Sequence, residues 1–300
     1  WSSDVCSSDL AKGKNRHFHG YAAYLKCLKP VEIVTHESVR RRGGGFSTCG
    51  CWYTDTEFVL KGLQIMCGIA GFVNDMPIDV KCPVLQRMTD MIAHRGPDSE
   101  GHYIDEHAAL GHRRLSIIDL GGGQQPIYNE DGSKVITFNG EIYNYQTLRE
   151  ELIAAGHTFT TKSDTEVLLH GYEQWGVDLL QRVRGMFTFV IWDKNKQELF
   201  GARDHFGIKP FYYAKMNGTF MYASEIKSLL RHPDFVKELN AEALKPYMTF
   251  QYPAIGETFF KGVYKLPEGH YFTYRDGKMD IHRYYDEDFR EGKQKLGELV

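Results

Sequence analysis

The chain has 300 residues, 42% hydrophobic and 25% charged, which is the composition of an ordinary folded globular chain and excludes a disordered or fibrous one. Its 36 Lys and Arg against 39 Asp and Glu leave a formal net charge of -3, which argues against nucleic acid as the main partner. The apolar runs are far short of a membrane span.

Four of the six cysteines (Cys6, Cys27, Cys49 and Cys51) fall near the start, and Cys49-Gly50-Cys51 has the wrong spacing for a zinc knuckle or a redox pair. The start has no basic n-region, apolar core and small-residue cleavage site, so a cytoplasmic protein with reduced thiols is expected. Residues 1–65 carry a near-repeat of Ser-Ser-Asp from Ser2 to Leu10 and a basic glycine-rich tract from Arg40 to Gly45. No helical or strand period runs through them, so they read as a non-native or disordered upstream extension. A propeptide or a basic arm for nucleic acid is the other reading.

From Cys67 the patterning becomes regular, and 67–73 is a short buried strand. Leu85, Met88, Met91 and Ile92 recur at helical spacing, predicting a helix over 84–93 started by Pro83. His94-Arg95-Gly96-Pro97-Asp98 follows as a turn. Residues 108–120 suit one or two strands around His112-Arg113-Arg114, and 135–138 form a strand running into Asn139-Gly140. A helix over 145–155 has Leu148, Leu152 and Ile153 on one face and ends at Gly156. Ser163-Asp164-Thr165-Glu166 opens the next helix, and short strands follow at 186–192, 199–202, 211–214 and 220–223, then a short helix at 225–230. From Pro233 the signal thins: 242–248 is helical, and 258–266 can pair with 270–275 across Pro267-Glu268-Gly269. Residues 233–300 are therefore set apart from a domain over 66–232 as an interdomain segment. Strands, then helices, then strands again point to an α+β sandwich and not to repeating βαβ units.

The candidate chemistry lies at a few positions, each with a plainer alternative. Cys67 follows Met66; most lone cysteines are buried small hydrophobes, but a cysteine whose own α-amine is free has a nucleophile and a base on one residue. Asn139-Gly140 is a strong hairpin signal, or else an oxyanion hole built from the Asn139 amide and the Gly140 backbone N–H. Asp164 suits the first turn of a helix capped by Ser163 with Glu166 three positions on, or it receives a substrate ammonium. Arg114 is a surface ion-pair partner, or the fork that holds a carboxylate. Together Arg114 and Asp164 would clamp an amino-acid zwitterion. No metal site is read, since the 13 histidines include no His-x-x-x-His pair. Gly121-Gly122-Gly123 lacks the Lys-Ser/Thr of a phosphate loop and is read as a turn.

The order of motifs is more specific than any one of them. Met66-Cys67-Gly68-Ile69-Ala70-Gly71-Phe72, the His94–Asp98 turn, Gly111–Asp119, Asn139–Tyr145 and Ser163–Glu166 are followed by Arg184–Phe187, Arg203–Pro210 and Ala223–Lys227. This series resembles the glutaminase domain of glutamine-hydrolysing asparagine synthetases of the bacterial B type, densely over 66–230 and more loosely to about 286. The resemblance implies the four-layer αββα sandwich of N-terminal-nucleophile hydrolases, the class II glutamine amidotransferases. It implies Cys67 as nucleophile, and Asn139 and Gly140 as the oxyanion pair. It assigns glutamine binding to Arg114, Leu115, Ser116, Ile117, Ile118, Glu141 and Asp164. L-glutamine would be hydrolysed through a Cys67 thioester, and the ammonia passed to ATP- and magnesium-dependent conversion of aspartate to asparagine in a synthetase domain. No Ser-Gly-Gly-x-Asp-Ser adenylation loop occurs in these 300 residues, so the fragment itself needs no cofactor. No nucleic-acid or membrane partner is implied, and a homodimer is left open. Cys67 is also internal, and a peptide bond to Met66 removes its amine as a base. The alternatives are a class II amidotransferase feeding a sugar or cell-surface pathway, and a catalytically dead binding protein on the same fold.

Overall fold

The computed structural model describes residues 66–115, 123–251 and 256–287. The upstream segment, with its basic tract, and the predicted substrate contacts Ser116, Ile117 and Ile118 lie outside the described residues. In chain order the elements are β1 (Gly68–Val73), α1 (Ile78–Asp90), β2 (Ser99–Ile104), β3 (Ala108–Arg114), β4 (Ile127–Tyr128), β5 (Lys134–Ile142), α2 (Tyr145–Ala154), α3 (Asp164–Trp175) and α4 (Leu179–Arg182). Then come β6 (Gly185–Asp193), β7 (Glu198–Arg203), β8 (Tyr212–Met216), β9 (Thr219–Ala223), α5 (Ile226–Leu229), α6 (Ala241–Phe250), β10 (Val263–Lys265), β11 (His270–Arg275) and β12 (Lys278–Arg283).

The strands form two antiparallel sheets, ordered β10-β8-β9-β1-β3-β2 and β12-β11-β7-β6-β5-β4. Alternation along each strand sends successive side chains to opposite faces. Ile69, Leu110, Phe220 and Tyr222 of the first sheet meet Val190, Trp192, Leu199 and Phe272 of the second in the inter-sheet core. On the outer face of the first sheet, Ala70, Phe72 and Met221 pack under Leu85 and Met88 of α1 and Leu229 of α5. Ile136, Phe138 and Ile191 cover the outer face of the second, under Leu148 and Leu152 of α2 and Val167 and Leu168 of α3. Helix, sheet, sheet and helix are the four layers of the expected α+β sandwich.

Several elements differ from the sequence expectation. Helix α1 begins at Ile78, capped by Pro77, with Pro83 inside it. Pro83 forfeits one early i→i−4 bond, but the buried stripe Val84, Leu85 and Met88 holds the helix in place. Ile153 is exposed, so the buried face of α2 is Leu148 and Leu152. Ser163 caps α3 as expected, its oxygen accepting from Thr165 N at 3.2 Å. Glu166 makes no reciprocal capping bond; it accepts from the backbone N of Thr160 and Thr161, each at 2.7 Å. Asn139-Gly140 is no hairpin, because β5 runs straight through to Ile142, paired residue for residue with β6. The tail also differs. β10 joins β8 in the first sheet while β11 joins β7 in the second, so the strands over 258–275 do not pair with each other. Residues 263–283, set apart from the sequence as an interdomain segment, thus complete the sheets and belong to the sandwich.

Candidate active site

Strand periodicity brings the predicted residues to one end of the inter-sheet space. On β1, Ile69 faces the inter-sheet core, so Cys67, two residues earlier, lies on the same side. On β3, Leu110 faces that core, and the alternation carries His112 and Arg114 inward with it. On β5, Val135 is inward while Ile136 and Phe138 are outward, which puts Asn139 inward. Gly68 is paired with Arg113, so Cys67 sits opposite the end of β3. There Leu115 N donates to Cys67 Sγ at 3.3 Å, and Sγ lies 3.5 Å from Leu115 O.

An open cleft lies at this end, lined by Cys67, Arg114, Leu115, Gly140, Glu141 and Asp164 among others. Burial pushes the Cys67 thiol above its ordinary pKa, opposed by the Leu115 N–H and by the charges of Lys209 and Arg114. Asp164 is the first residue of α3, and its Oδ2 accepts from Ile142 N at 2.9 Å. Burial pushes its pKa up to about 6; the Ile142 N–H opposes this and the Glu141 carboxylate adds to it. Asn139 is 1% exposed, and neither its Oδ1 nor its Nδ2 has a hydrogen-bond partner among the described residues. A buried amide left unbonded costs about 1–3 kcal/mol. Gly140 has to be glycine: an added Cβ would stand 2.2 Å from Met186 O and 2.7 Å from Phe187 Cα on β6.

Further residues support the site: Gln125, which the sequence does not single out, and His112, Arg95, Lys209 and Glu225, which lie in its motifs without an assigned role. Gln125 pairs its side chain with the β5 backbone, accepting from Phe138 N at 2.6 Å and donating to Phe138 O at 3.1 Å. His112 Nε2 meets the same carbonyl at 3.0 Å, and burial pushes its pKa down to about 3, so the ring is neutral. Gln125 and His112 therefore fix the strand position just before Asn139. Arg95 donates from Nε to Cys67 O at 3.1 Å and from an Nη to Glu225 Oε1 at 3.1 Å. Lys209 is buried beside Met66, and its pKa falls to about 8 through burial and the neighbouring Arg95 charge. Gln125 is an ordinary residue next to a proline; Arg95 and Lys209 reach Cys67, and Glu225 reaches Arg95, only through long-range contacts.

The arrangement offers a thiol, the Gly140 backbone and a carboxylate around one cleft, with the buried Asn139 amide at the adjoining strand position. The glutamine amidotransferase domain family matches residues 66–285. The chain belongs to this family. The amidotransferase is 45% identical over 239 residues to asparagine synthetase [glutamine-hydrolyzing] 1 of Bacillus subtilis, covering 78% of this chain and 38% of that protein. It is 37% identical to amidase chry2 of Gibberella zeae, covering 74% of this chain and 34% of that one. The chain thus spans little more than a third of the length of these relatives. Among solved structures, the B. subtilis glutamine phosphoribosylpyrophosphate amidotransferase superposes with a TM-score of 0.55 at 16% identity, over 74% of this chain and 50% of that one. That likeness fixes the fold of the amidotransferase as the N-terminal-nucleophile sandwich.

Proposed function

We propose that this chain is the glutaminase part of a glutamine-hydrolysing asparagine synthetase, with Cys67 as nucleophile once it is the first residue. The glutaminase unit would run from Cys67 to about Tyr285, where the family match ends. Arg114 would hold the α-carboxylate of L-glutamine and Asp164 its α-ammonium, with Glu141 and Leu115 bordering the bound substrate. Ser116, Ile117 and Ile118 would also take part in glutamine binding. The free α-amine of Cys67 would take the thiol proton, and the sulfur would attack the side-chain amide carbon. The C=O electron pair would move onto oxygen, facing Asn139 Nδ2–H and Gly140 N–H. Collapse of that oxyanion would expel ammonia, which takes up the proton, and leave a glutamyl thioester that water cleaves to glutamate. The observation that carries this reading is the buried, unbonded Asn139 amide at the same end of the inter-sheet space as Cys67.

The ammonia would serve asparagine formation in the part of the protein that the relatives possess and this chain does not span. ATP and magnesium belong to that part. The amidotransferase would work in the cytoplasm; among the described residues no helix is long and apolar enough to cross a membrane.

The test is glutaminase activity of the 300-residue chain against a chain that begins at Cys67. The shorter chain should turn over glutamine and form a covalent adduct at Cys67 with a glutamine-analogue electrophile. The longer one should do neither, because an amide nitrogen is no base. Equal activity of the two would overturn the role of the terminal amine, and no adduct in either would overturn Cys67 as nucleophile.

A further inference from the structure

Away from the cleft, three segments bring imidazole and carboxylate groups together on the outer side of α3. Glu130 comes from the β4–β5 turn, His157 from the loop between α2 and α3, and His170 from α3 itself. One ligand atom from each lies within 4.8 Å of the other two. His170 Nδ1 is 3.7 Å from Glu130 Oε2 and 2.9 Å from Glu173 Oε2. Zinc bonded at about 2.0–2.1 Å in tetrahedral geometry holds its ligand atoms roughly 3.4 Å apart. The separations of His170 Nδ1 from Glu130 and from Glu173 bracket that value, and the rest of the triad lies within 4.8 Å, with Glu130 exposed.

A second observation concerns the far side of the same ring. His170 is 1% exposed, and its Nε2 makes no hydrogen bond among the described residues. It faces Glu166 Oε1 at 3.7 Å. Glu166 is itself fixed by the backbone N–H and hydroxyl groups of Thr160 and Thr161. At 3.7 Å the contact of His170 with Glu166 is ionic and not a hydrogen bond, so the ring stands beside an anchored carboxylate that is close enough to orient it by charge. The orienting contacts extend to the neighbours: Gln174 Oε1 meets His157 Nε2 at 3.1 Å, and Asn129 Nδ2 donates to Glu173 Oε1 at 2.7 Å. Three carboxylates (Glu130, Glu166 and Glu173) surround His170, with Lys134 Nζ 3.6 Å from Glu173 the nearby cation. The cluster is rich in negative charge.

We infer that Glu130, His157 and His170 bind a divalent ion of zinc type, with Glu173 in reach as a fourth ligand. Two imidazoles with carboxylates suit zinc over magnesium or calcium, which take oxygen sets. No histidine spacing motif announces the site, because its ligands come from three separate segments. The ion ties the β4–β5 turn and the 156–162 loop to the helix that begins at Asp164. Its role is structural, and it stands whether or not the glutaminase reading does.

The full chain, freed of metal, is titrated with zinc alone and compared with His157→Gln and Glu130→Gln. Wild type should retain one more equivalent of zinc after dialysis than either variant. Zinc at a hundredfold above Kd should raise its Tm by about 5–10 °C, reversed by EDTA. The variants should lose most of that shift while matching wild type in EDTA. Cobalt in place of zinc should give a spectrum of nitrogen and oxygen ligation without thiolate charge-transfer bands. Equal zinc content and equal shifts in all three proteins would overturn the assignment, as would a purely thiolate cobalt spectrum, which would put the ion on a cysteine. If His157→Gln does not fold, Glu130→Gln, altered at an exposed turn residue, decides alone.

Discussion

Replacing Asn139 by alanine should separate catalysis from stability. The side chain is buried and neither of its polar atoms is bonded among the described residues, so truncation breaks no hydrogen bond there. Removing an unsatisfied buried amide relieves about 1–3 kcal/mol. Losing three buried heavy atoms forfeits contacts of about 0.8 kcal/mol per methylene-sized group, roughly 2 kcal/mol in all. The two effects cancel to within about 1 kcal/mol, a Tm change of no more than roughly 2–4 °C for a domain of this size. Catalysis should respond differently, because an oxyanion donor is worth about 2.7–4 kcal/mol, a loss of roughly 10²–10³ in kcat. The assay is glutamine hydrolysis by a chain beginning at Cys67, beside thermal unfolding of the same protein. A kcat within about threefold of wild type would refute the oxyanion role. A Tm loss of about 8 °C or more would show that the amide is already bonded and structural.

Other expectations follow from the same geometry. Asp164 must be ionised to bind an ammonium; with its pKa at about 6, the KM for glutamine should rise as pH falls through 6, by roughly tenfold at pH 5 relative to pH 7. The same raised pKa means that the folded protein holds this proton more tightly than the unfolded chain does. The associated stability is full below the ordinary value of 3.8 and is lost as pH rises through about 6. Asp164→Asn should therefore raise Tm at pH 7.5 while weakening glutamine binding, and a lowered Tm would contradict the burial argument. Gly140→Ala should cost both activity and several degrees of Tm, since its Cβ would meet β6 backbone at 2.2 Å; unchanged unfolding would show that β5 can shift. Glu225→Gln weakens the anchor of Arg95 on the Cys67 carbonyl and should lower kcat by about tenfold with little change in KM; a change confined to KM would place Arg95 in substrate binding.

The sandwich and its chief residues were legible because they are local signals in a fixed order. Cys67 before a strand, Ser163-Asp164 at a helix start and the short strands from Met186 to Ala223 can be read without knowing what they touch. Asn139-Gly140 misleads in isolation because the dipeptide that favours a hairpin also fits a straight strand whose neighbour crowds the Cβ. What decides is Met186 and Phe187 on β6, far along the chain. The tail from Val263 to Arg283 misleads for a related reason. Two adjacent apolar runs suggest one hairpin, yet β10 and β11 have edge partners waiting in different sheets. Gln125 stays silent in the sequence, and Arg95, Lys209 and Glu225 stand in motifs without showing their roles, because their partners are distant in the chain.

Cys67 heads a strand of one sheet and Asn139 sits on a strand of the other, so the distance between the proposed nucleophile and the proposed oxyanion donor is set by how the sheets are stacked. Sliding one sheet past the other by a fraction of an ångström would detune the site while leaving every strand pairing intact. The side chains that resist such shear are Tyr222, Phe220, Trp192 and Phe272, none of which lines the cleft. Trimming these rings should therefore register first as slower turnover and only later as unfolding, and activity becomes the most sensitive gauge of how well the interior is packed.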